Sequence, residues 1–312
     1  MATPHKYTTS TPPKDATKAR LDHIIVLLRH KDLLSLPDWL TNNFTITPGG
    51  RHADGKTENK LILFHDGSYI ELISFINDDP AHRSGHWWGT KPFGSIVDYA
   101  FTTDGDAKAH YAALQERFNA TFKDDSVLLE KYGYAPPRAG GRVRDDGVEV
   151  KWEVTFPAPG LPRGLLPFFC HDTTPRGVRV PITEEAVTHP SGVYGIKSLK
   201  VKVPGKDAGV LAKVYEAVLG LTGSATDGAG LGASSVKYSV STVASVNGVA
   251  APEIYVEGYT GGNEAVGEIV EKHGVALGDL ILGGISDAGD DQFTRLDQTE
   301  DYGRIVVQLQ KH

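Results

Sequence analysis

The chain of 312 residues is long enough for two domains of ordinary size, and 40% hydrophobic with 23% charged residues is typical of a globular protein. A formal net charge of −7 without a basic stripe excludes sequence-independent binding to nucleic acid, and it argues against an anionic membrane surface. The single cysteine excludes an intrachain disulfide and fits a reducing compartment. We therefore predict a cytoplasmic protein whose partner is a small-molecule substrate.

The first 20 residues are rich in Thr, Pro and Lys and contain no apolar core. Such a composition predicts a disordered tail, and neither a signal peptide nor an anchor. No apolar run in the sequence approaches the length of a transmembrane helix. We expect the folded part of the chain to begin near residue 21.

Two strand-like runs each place an ionisable residue among apolar side chains. His23 alternates in phase with aliphatic residues in the run 21 to 28, and Glu71 does so in the run 68 to 75. An ionisable group on an apolar strand face requires a hydrogen-bonding or charged partner. His23 and Glu71 therefore predict either a shared metal ion or a buried, metal-free pair.

Between and after these runs lie a short helix and an aromatic loop. Pro37 predicts a short or broken helix over residues 31 to 43. Further on, His86, Trp87 and Trp88 follow one another directly. Three neighbouring rings can wall a pocket, so we interpret Trp87 and Trp88 either as an aromatic lid over the core or as residues that contact a substrate.

The segment that follows repeats the first one. A strand over 95 to 103 and a helix over 106 to 118 lead to a Gly-Gly-Arg sequence at 140 to 142, which matches the Gly-Gly-Arg at 49 to 51. Without a gap, six of thirteen positions are identical between the two copies. The repeat closes on the strand 166 to 173. This register predicts that Asp98 lies opposite His23 and that His171 lies opposite Glu71.

The ordered set of motifs resembles a known family. Leu-Asp-His at 21 to 23, Thr-Pro-Gly-Gly-Arg-His ending at His52, Tyr-Ile-Glu-Leu around Glu71, the second Gly-Gly-Arg and Leu-Pro-Phe-Phe at 166 to 169 look like glyoxalase-like domain proteins of the vicinal oxygen chelate superfamily. The resemblance implies an α+β fold of tandem βαβββ modules, whose cupped mixed sheets carry helices on the outside.

The resemblance also implies a divalent metal ion bound by the first and last strands of each module. Here those positions carry His23, Glu71, Asp98 and His171, a set of two imidazoles and two carboxylates. Such ligands suit zinc, manganese, nickel or iron, so the identity of the ion stays open. We interpret Cys170, which alternates out of phase with His171, as a buried, inert thiol.

The remainder of the chain predicts a second, degenerate module pair. Residues 21 to 175 carry the predicted site, whereas residues 190 to 312 place Ser198 where the first copy has its histidine. Glu257 lies where a counterpart of Glu71 would be, but no imidazole accompanies it. We therefore assign Glu257 a structural role.

Three functions follow from this interpretation. The first is a lyase or isomerase that acts on a substrate with adjacent oxygens, in which Glu71 or Asp98 moves a proton and His52 is either a general acid or a loop residue. The second is a metal-free protein that sequesters a small planar molecule. The third is a ring-cleaving dioxygenase, which would need His23, His171 and Glu71 as iron ligands. A homodimer is compatible with each of the three.

Overall fold

The computed structural model describes residues 7–12, 14–144, 146–226, 235–286, 292–295 and 305–311. It describes side-chain environments up to residue 284. Within these ranges no helix is both long and apolar enough to span a membrane.

The first module runs from residue 20 to residue 75. After a two-residue strand β1 (Thr9–Ser10), its elements are β2 (Arg20–Leu28), α1 (His30–Leu34), α2 (Asp38–Thr41), β3 (Thr47–His52), β4 (Thr57–Leu63) and β5 (Tyr69–Phe75). Pro37 is the N-cap residue of α2 and separates it from α1, because proline cannot continue a helix from its amino side. The predicted broken helix is therefore present.

The second module repeats this order. Its elements are α3 (Pro80–Arg83), β6 (Ser95–Thr102), α4 (Ala107–Thr121), α5 (Ser126–Tyr132), β7 (Arg138–Val143), β8 (Glu149–Thr155) and β9 (Phe168–Asp172). The Asp106 side chain caps α4 by accepting hydrogen bonds from the Lys108 and Ala109 amides, which satisfies two helix donors that have no partner in the helix.

Both modules form one sheet that closes on itself. The strand order is β2-β5-β4-β3-β7-β8-β9-β6, and β6 pairs again with β2. The two Gly-Gly-Arg segments lie in the equivalent strands β3 and β7, which are neighbours in the sheet. The predicted fold class, an α+β arrangement of paired βαβββ modules, is confirmed.

The second half of the chain forms a separate seven-stranded sheet after two short helices. The elements of this half are α6 (Arg176–Arg179), α7 (Glu184–Val187), β10 (Val193–Pro204), α8 (Ala208–Leu219), β11 (Ser224–Ala225), β12 (Ser235–Ser239), β13 (Ser241–Thr242), β14 (Ser245–Val246), β15 (Glu253–Tyr259), α9 (Glu264–His273), β16 (Ala276–Ser286), β17 (Gln292–Arg295) and β18 (Ile305–Lys311). Of these, β13 pairs with β2 at the edge of the first sheet, and β14 pairs with β1. The sheet order is β11-β12-β15-β10-β16-β18-β17. Residues 227–234, 287–291, 296–304 and 312 of this predicted module pair lie outside the described residues.

The two faces of β2 show how the core is divided. Ile24, Val26 and Leu28 belong to the large core that packs helices and the second half against the first sheet, whereas Ile25 and Leu27 belong to a smaller cluster inside the closed sheet. This alternation follows from the two-residue period of a strand. The inner face of the sheet therefore encloses the space in which the predicted site lies.

The amino-terminal segment is attached to the second half. Thr9 and Ser10 pair antiparallel with Val246 and Ser245, and the Tyr7 hydroxyl donates a hydrogen bond to the Gly192 carbonyl. Residues 7 to 10 of the predicted tail thus belong to the fold. Residues 1 to 6 and residue 13 lie outside the described residues.

Candidate functional site

A cavity of about 320 Å³ lies inside the closed sheet, between the strands of the two modules. Five of the residues predicted from the sequence line this cavity: His23, His52, Glu71, Trp87 and Trp88. Two predicted metal ligands, Asp98 and His171, do not. The three ionisable residues among these five therefore come from the first module, and the two tryptophans follow it.

His23 is oriented by the residue before it. A register shift between β2 and β6 at this point leaves Asp22 as an extra residue, so that two consecutive side chains approach each other. His23 Nδ1 donates a hydrogen bond of 2.8 Å to Asp22 Oδ2, and the ring stacks on Tyr69 with 4.6 Å between centroids. With Nδ1 committed as the donor, a neutral imidazole directs the lone pair of Nε2 into the cavity.

Asp22 is itself held by two arginines. Arg179 donates to both Asp22 oxygens, at 2.9 and 3.2 Å, and Arg176 Nη1 lies 2.6 Å from Oδ1. Burial alone would raise the pKa of Asp22, but Arg176, Arg179 and His23 hold it well below its usual value. Asp22 therefore stays ionised and keeps accepting the His23 proton. A carboxylate behind an imidazole in this way is the usual support of a metal-binding histidine.

Glu71 is held as a carboxylate by neighbouring strands. Asn59 Nδ2 donates to Glu71 Oε1 at 2.5 Å, while Asn59 Oδ1 accepts from Arg142 Nη1 at 2.8 Å and from the Gly50 amide at 3.1 Å. Burial would raise the pKa of Glu71, yet His52, His23, Asn59 and Arg142 lower it. A side chain at position 49 would meet Asn59 Oδ1 at 2.0 Å, which explains the glycine there.

His52 reaches the same carboxylate from β3. Its Nδ1 lies 2.9 Å from the Thr57 hydroxyl, and its Nε2 lies 3.5 Å from Glu71 Oε1. Burial lowers the pKa of His52, so the imidazole is neutral at neutral pH. On the other side of the carboxylate, His23 Nε2 lies 3.6 Å from Oε2. The Nε2 atoms of two imidazoles therefore face the two oxygens of one carboxylate.

These three side chains provide donor types that fit a divalent metal ion. Two atoms bound to one ion at about 2.1 Å in tetrahedral geometry are about 3.4 Å apart, close to both spacings around Glu71. Among the described residues, however, no group of three or more His, Cys, Asp or Glu already has metal-holding geometry. His23, His52 and Glu71 thus match an ion in the chemistry of their donor atoms and in the two distances to Glu71, while a closed coordination shell would require their adjustment.

Asp98 differs from the expected position by two residues. It pairs with Ile25, whereas His23 pairs with Ala100. Its Oδ2 accepts from Trp88 Nε1 at 3.1 Å and from Arg163, whose Nε lies 2.8 Å away. Asp98 consequently holds the cavity wall, and the structure does not bring it to His23 and Glu71.

His171 lies on the other face of its strand. Its ring packs 5.1 Å from His110 of α4, and its Nε2 is 3.0 Å from the Thr103 hydroxyl. Because neighbouring residues on a strand point to opposite sides, Cys170 faces the cavity instead. The expected pairing of His171 with Glu71 is corrected by this shift of one residue. Burial raises the pKa of Cys170, in agreement with an inert thiol.

Aromatic rings form part of the remaining wall. Trp87 and Trp88 contribute from the loop before β6, and Trp152, Phe156 and Phe168 from the second module. Trp87 is 41% exposed, whereas Trp88 is buried. The two tryptophans thus differ in role: Trp88 is fixed to Asp98, and Trp87 stands at the entrance.

Several site residues were absent from the sequence prediction. The most important are Asp22, Asn59 and Arg179, which orient His23 and Glu71 through hydrogen bonds. Asn59 could have been found, because it alternates in phase with apolar Leu61 and Leu63 on the strand after the first Gly-Gly-Arg. Asp22 carries no such signal, since a bulge breaks the alternation.

The paired modules around this cavity are the fold that the resemblance to the vicinal oxygen chelate superfamily implied. Residues 21–219, which are more than half of the chain, match the family model described as a glyoxalase-like domain, so the chain belongs to the glyoxalase-like domain family. No curated protein matches it in sequence.

Two solved structures share the fold. A hypothetical protein from Staphylococcus aureus is 13% identical, with a TM-score of 0.59 and coverage of 94% of this chain and 100% of that one. A xylose isomerase-like TIM barrel/4-hydroxyphenylpyruvate dioxygenase fusion protein is 10% identical, with a TM-score of 0.51 and coverage of 96% of this chain and 50% of that one. At these identities the likeness shows the fold alone.

Proposed function

We propose that the protein is a metal-dependent enzyme of the lyase or isomerase type, acting on a small substrate with adjacent oxygens. The observation that supports this most is the meeting of His23 Nε2, His52 Nε2 and the Glu71 carboxylate inside one cavity. Burial keeps His52 neutral and Glu71 is a carboxylate, so both are in the deprotonated state that metal binding requires. The proposed ligand set thus keeps His23 and Glu71 and takes His52 in place of Asp98 and His171.

The ion, which could be zinc, manganese, nickel or iron, would stabilise negative charge that develops on a substrate oxygen. The other steps belong to the protein. Asn59 holds Glu71 Oε1, so Oε2 is the oxygen that can accept a proton from the substrate. Trp88, fixed by Asp98, and Trp87 cover the cavity and keep water away from the reacting atoms.

The aromatic wall favours a second candidate function. Tyr69, Trp152, Phe156 and Phe168 present ring surfaces to the cavity, and such surfaces suit a planar ligand whether or not it reacts. A protein that sequesters a small molecule would use the same wall without turnover. Because two imidazoles and one carboxylate also form the ligand set of non-haem iron oxygenases, catechols belong among the substrates to be tried.

The test compares wild type, Glu71→Gln and Glu257→Gln. Each protein, loaded with metal, is incubated with α-ketoaldehyde thiol adducts, 2-oxo acids, catechols and lactones. Loss of a positioned base lowers the rate by on the order of 10²- to 10⁴-fold, so Glu71→Gln should lose kcat by that factor. Glu257→Gln makes the same chemical change in the second half and should keep full activity.

Equal conversion by wild type and Glu71→Gln would remove Glu71 from the mechanism. Stoichiometric binding of a compound by both proteins, with no conversion of any member of the panel, would favour sequestration instead.

A further inference from the structure

A second cavity, of about 690 Å³, opens beside the first. The two cavities share Trp87, Arg138 and Phe156 as lining residues. The second cavity extends along the proline-rich loop 157–162 to the carboxyl end of α9. We call it the basic groove, because five of its lining residues are Lys91, Arg138, Arg163, Lys272 and His273.

Positive charge in the basic groove is largely uncompensated. The described residues that line it include no Asp or Glu. Of its five basic side chains, only Arg163 forms an ion pair within the described part of the chain, with Asp98. The whole chain has a net charge of −7, so the four Lys and Arg side chains of the groove are opposite in sign to the average charge of the protein.

The basic side chains also lie close enough that the positive charge of one disfavours the charged state of another. The guanidinium carbons of Arg138 and Arg163 are 4.6 and 4.2 Å from the centre of the Phe156 ring. Burial and nearby Arg163 lower the pKa of half-buried Lys91, although Asp98 opposes them. Burial, Lys91 and Lys272 lower the pKa of His273. A bound anion would relieve this repulsion, whereas among the described residues Asp98 is the one carboxylate that pairs with a basic side chain of the groove.

We propose that the basic groove binds a multivalent oxyanion, which is the charged extension of the molecule whose oxygens enter the first cavity. Arginine forks and lysine ammonium groups both bind phosphoryl and carboxylate oxygens. Trp87 stands at the junction of the two cavities, so one molecule can pass it with its reactive end at Glu71 and its charged end at Lys91 and Lys272. The identity of the reactive end rests on the proposed function, but binding of the anion does not.

The test uses metal-free, full-length protein and calorimetric titration with inorganic pyrophosphate or tricarballylate, which separate phosphoryl from carboxylate recognition. The double variant Lys91→Met, Lys272→Gln should bind the preferred anion at least about tenfold more weakly, since each charge-assisted contact contributes on the order of tenfold. Lys213→Gln, an exposed lysine on α8, is the matched control and should bind like wild type. Circular dichroism checks that all variants are folded.

Three results would overturn the proposal: no binding of either anion by wild type, equal affinity in wild type and the double variant, or an equal loss in Lys213→Gln. The same titration on His52→Gln separates this proposal from the preceding one. If His52→Gln no longer binds metal but binds the anion as wild type does, the groove is supported as an independent site. Loss of anion binding in His52→Gln would contradict the proposal.

Discussion

The two halves of the chain have corresponding sheets but different chemistry on them. In the first half, β2 runs parallel to β5 and antiparallel to β6, and in the second half β10 runs parallel to β15 and antiparallel to β16. Glu71 of β5 faces two imidazoles, whereas Glu257 of β15 lies 3.1 Å from Lys200 Nζ. A lysine ammonium neutralises a carboxylate and offers no lone pair, while a neutral imidazole offers one. The comparison indicates that histidines, rather than the shared fold, make the first half a candidate metal site.

The largest difference between the halves should appear in the free energy of unfolding. Arg179 is buried and pairs with Asp22 and Asp172, so Arg179→Met leaves these two carboxylates with Arg176 as their remaining cation and should cost about 3 kcal/mol. Lys200→Met removes a cation of the second half that is 33% exposed and should cost about 1 kcal/mol or less. Urea unfolding of both variants measures the two losses. Equal losses would show that the network behind His23 has no special energetic role.

A smaller effect should separate the two carboxylates that hold Arg179. Asp22→Asn weakens the support of His23 Nδ1, so metal affinity should fall roughly 10- to 100-fold, as it does when a ligand histidine loses its carboxylate. Asp172→Asn also loses a contact with Arg179 but leaves His23 untouched, and it should bind metal nearly as wild type does. Competition with a chelator dye measures both affinities. Equal loss of metal affinity in the two variants would contradict the supporting role of Asp22 for His23.

The outer face of the first sheet offers a third contrast, because it has an imidazole pair without a carboxylate between the rings. Burial lowers the pKa of His110 to about 3 and that of His171 to about 4. Below about pH 6.5 these two histidines bind protons in the unfolded chain but not in the folded chain. Their contribution to the free energy of unfolding is therefore fully present above that pH, and it falls as pH decreases toward 4. Each imidazole contributes up to about 1.4 kcal/mol per pH unit.

His110→Leu should therefore flatten the decline of unfolding free energy between pH 6 and about pH 4, by the share of one imidazole. Urea midpoints at a series of pH values measure the slope. If wild type and variant show the same slope, His110 is not kept neutral by the fold.

The sequence predicts those features of the fold that follow a strict periodicity. The alternation in β2 and β5 identified His23 and Glu71, and the repeat identified β3 and β7 as equivalent strands. His52 also came from the sequence, as the residue after the first Gly-Gly-Arg. The aromatic pair at 87 and 88 was located correctly at the cavity, although its division into a fixed and an entrance residue depends on contacts with Asp98 and Phe156.

The contacts that were not predicted from the sequence depend on shifts of a single residue along a strand. The bulge at Asp22 places two consecutive side chains together, and no periodic pattern predicts that. On β9, a slip of one residue exchanges His171 for Cys170 at the cavity. Arg179 comes from a helix after the module pair, so its approach to Asp22 is a tertiary contact without a local signal. The ligand set therefore could not be completed from the sequence.

We propose that His23, His52 and Glu71 hold one divalent ion. The most direct measurement is calorimetric titration of metal-free protein with zinc and with manganese, for wild type, His52→Gln and His171→Gln. We expect one ion per chain in wild type and in His171→Gln, and a loss of metal affinity in His52→Gln larger than the roughly 100-fold that removal of an outer hydrogen-bond partner costs. Full affinity in His52→Gln with loss in His171→Gln would contradict it.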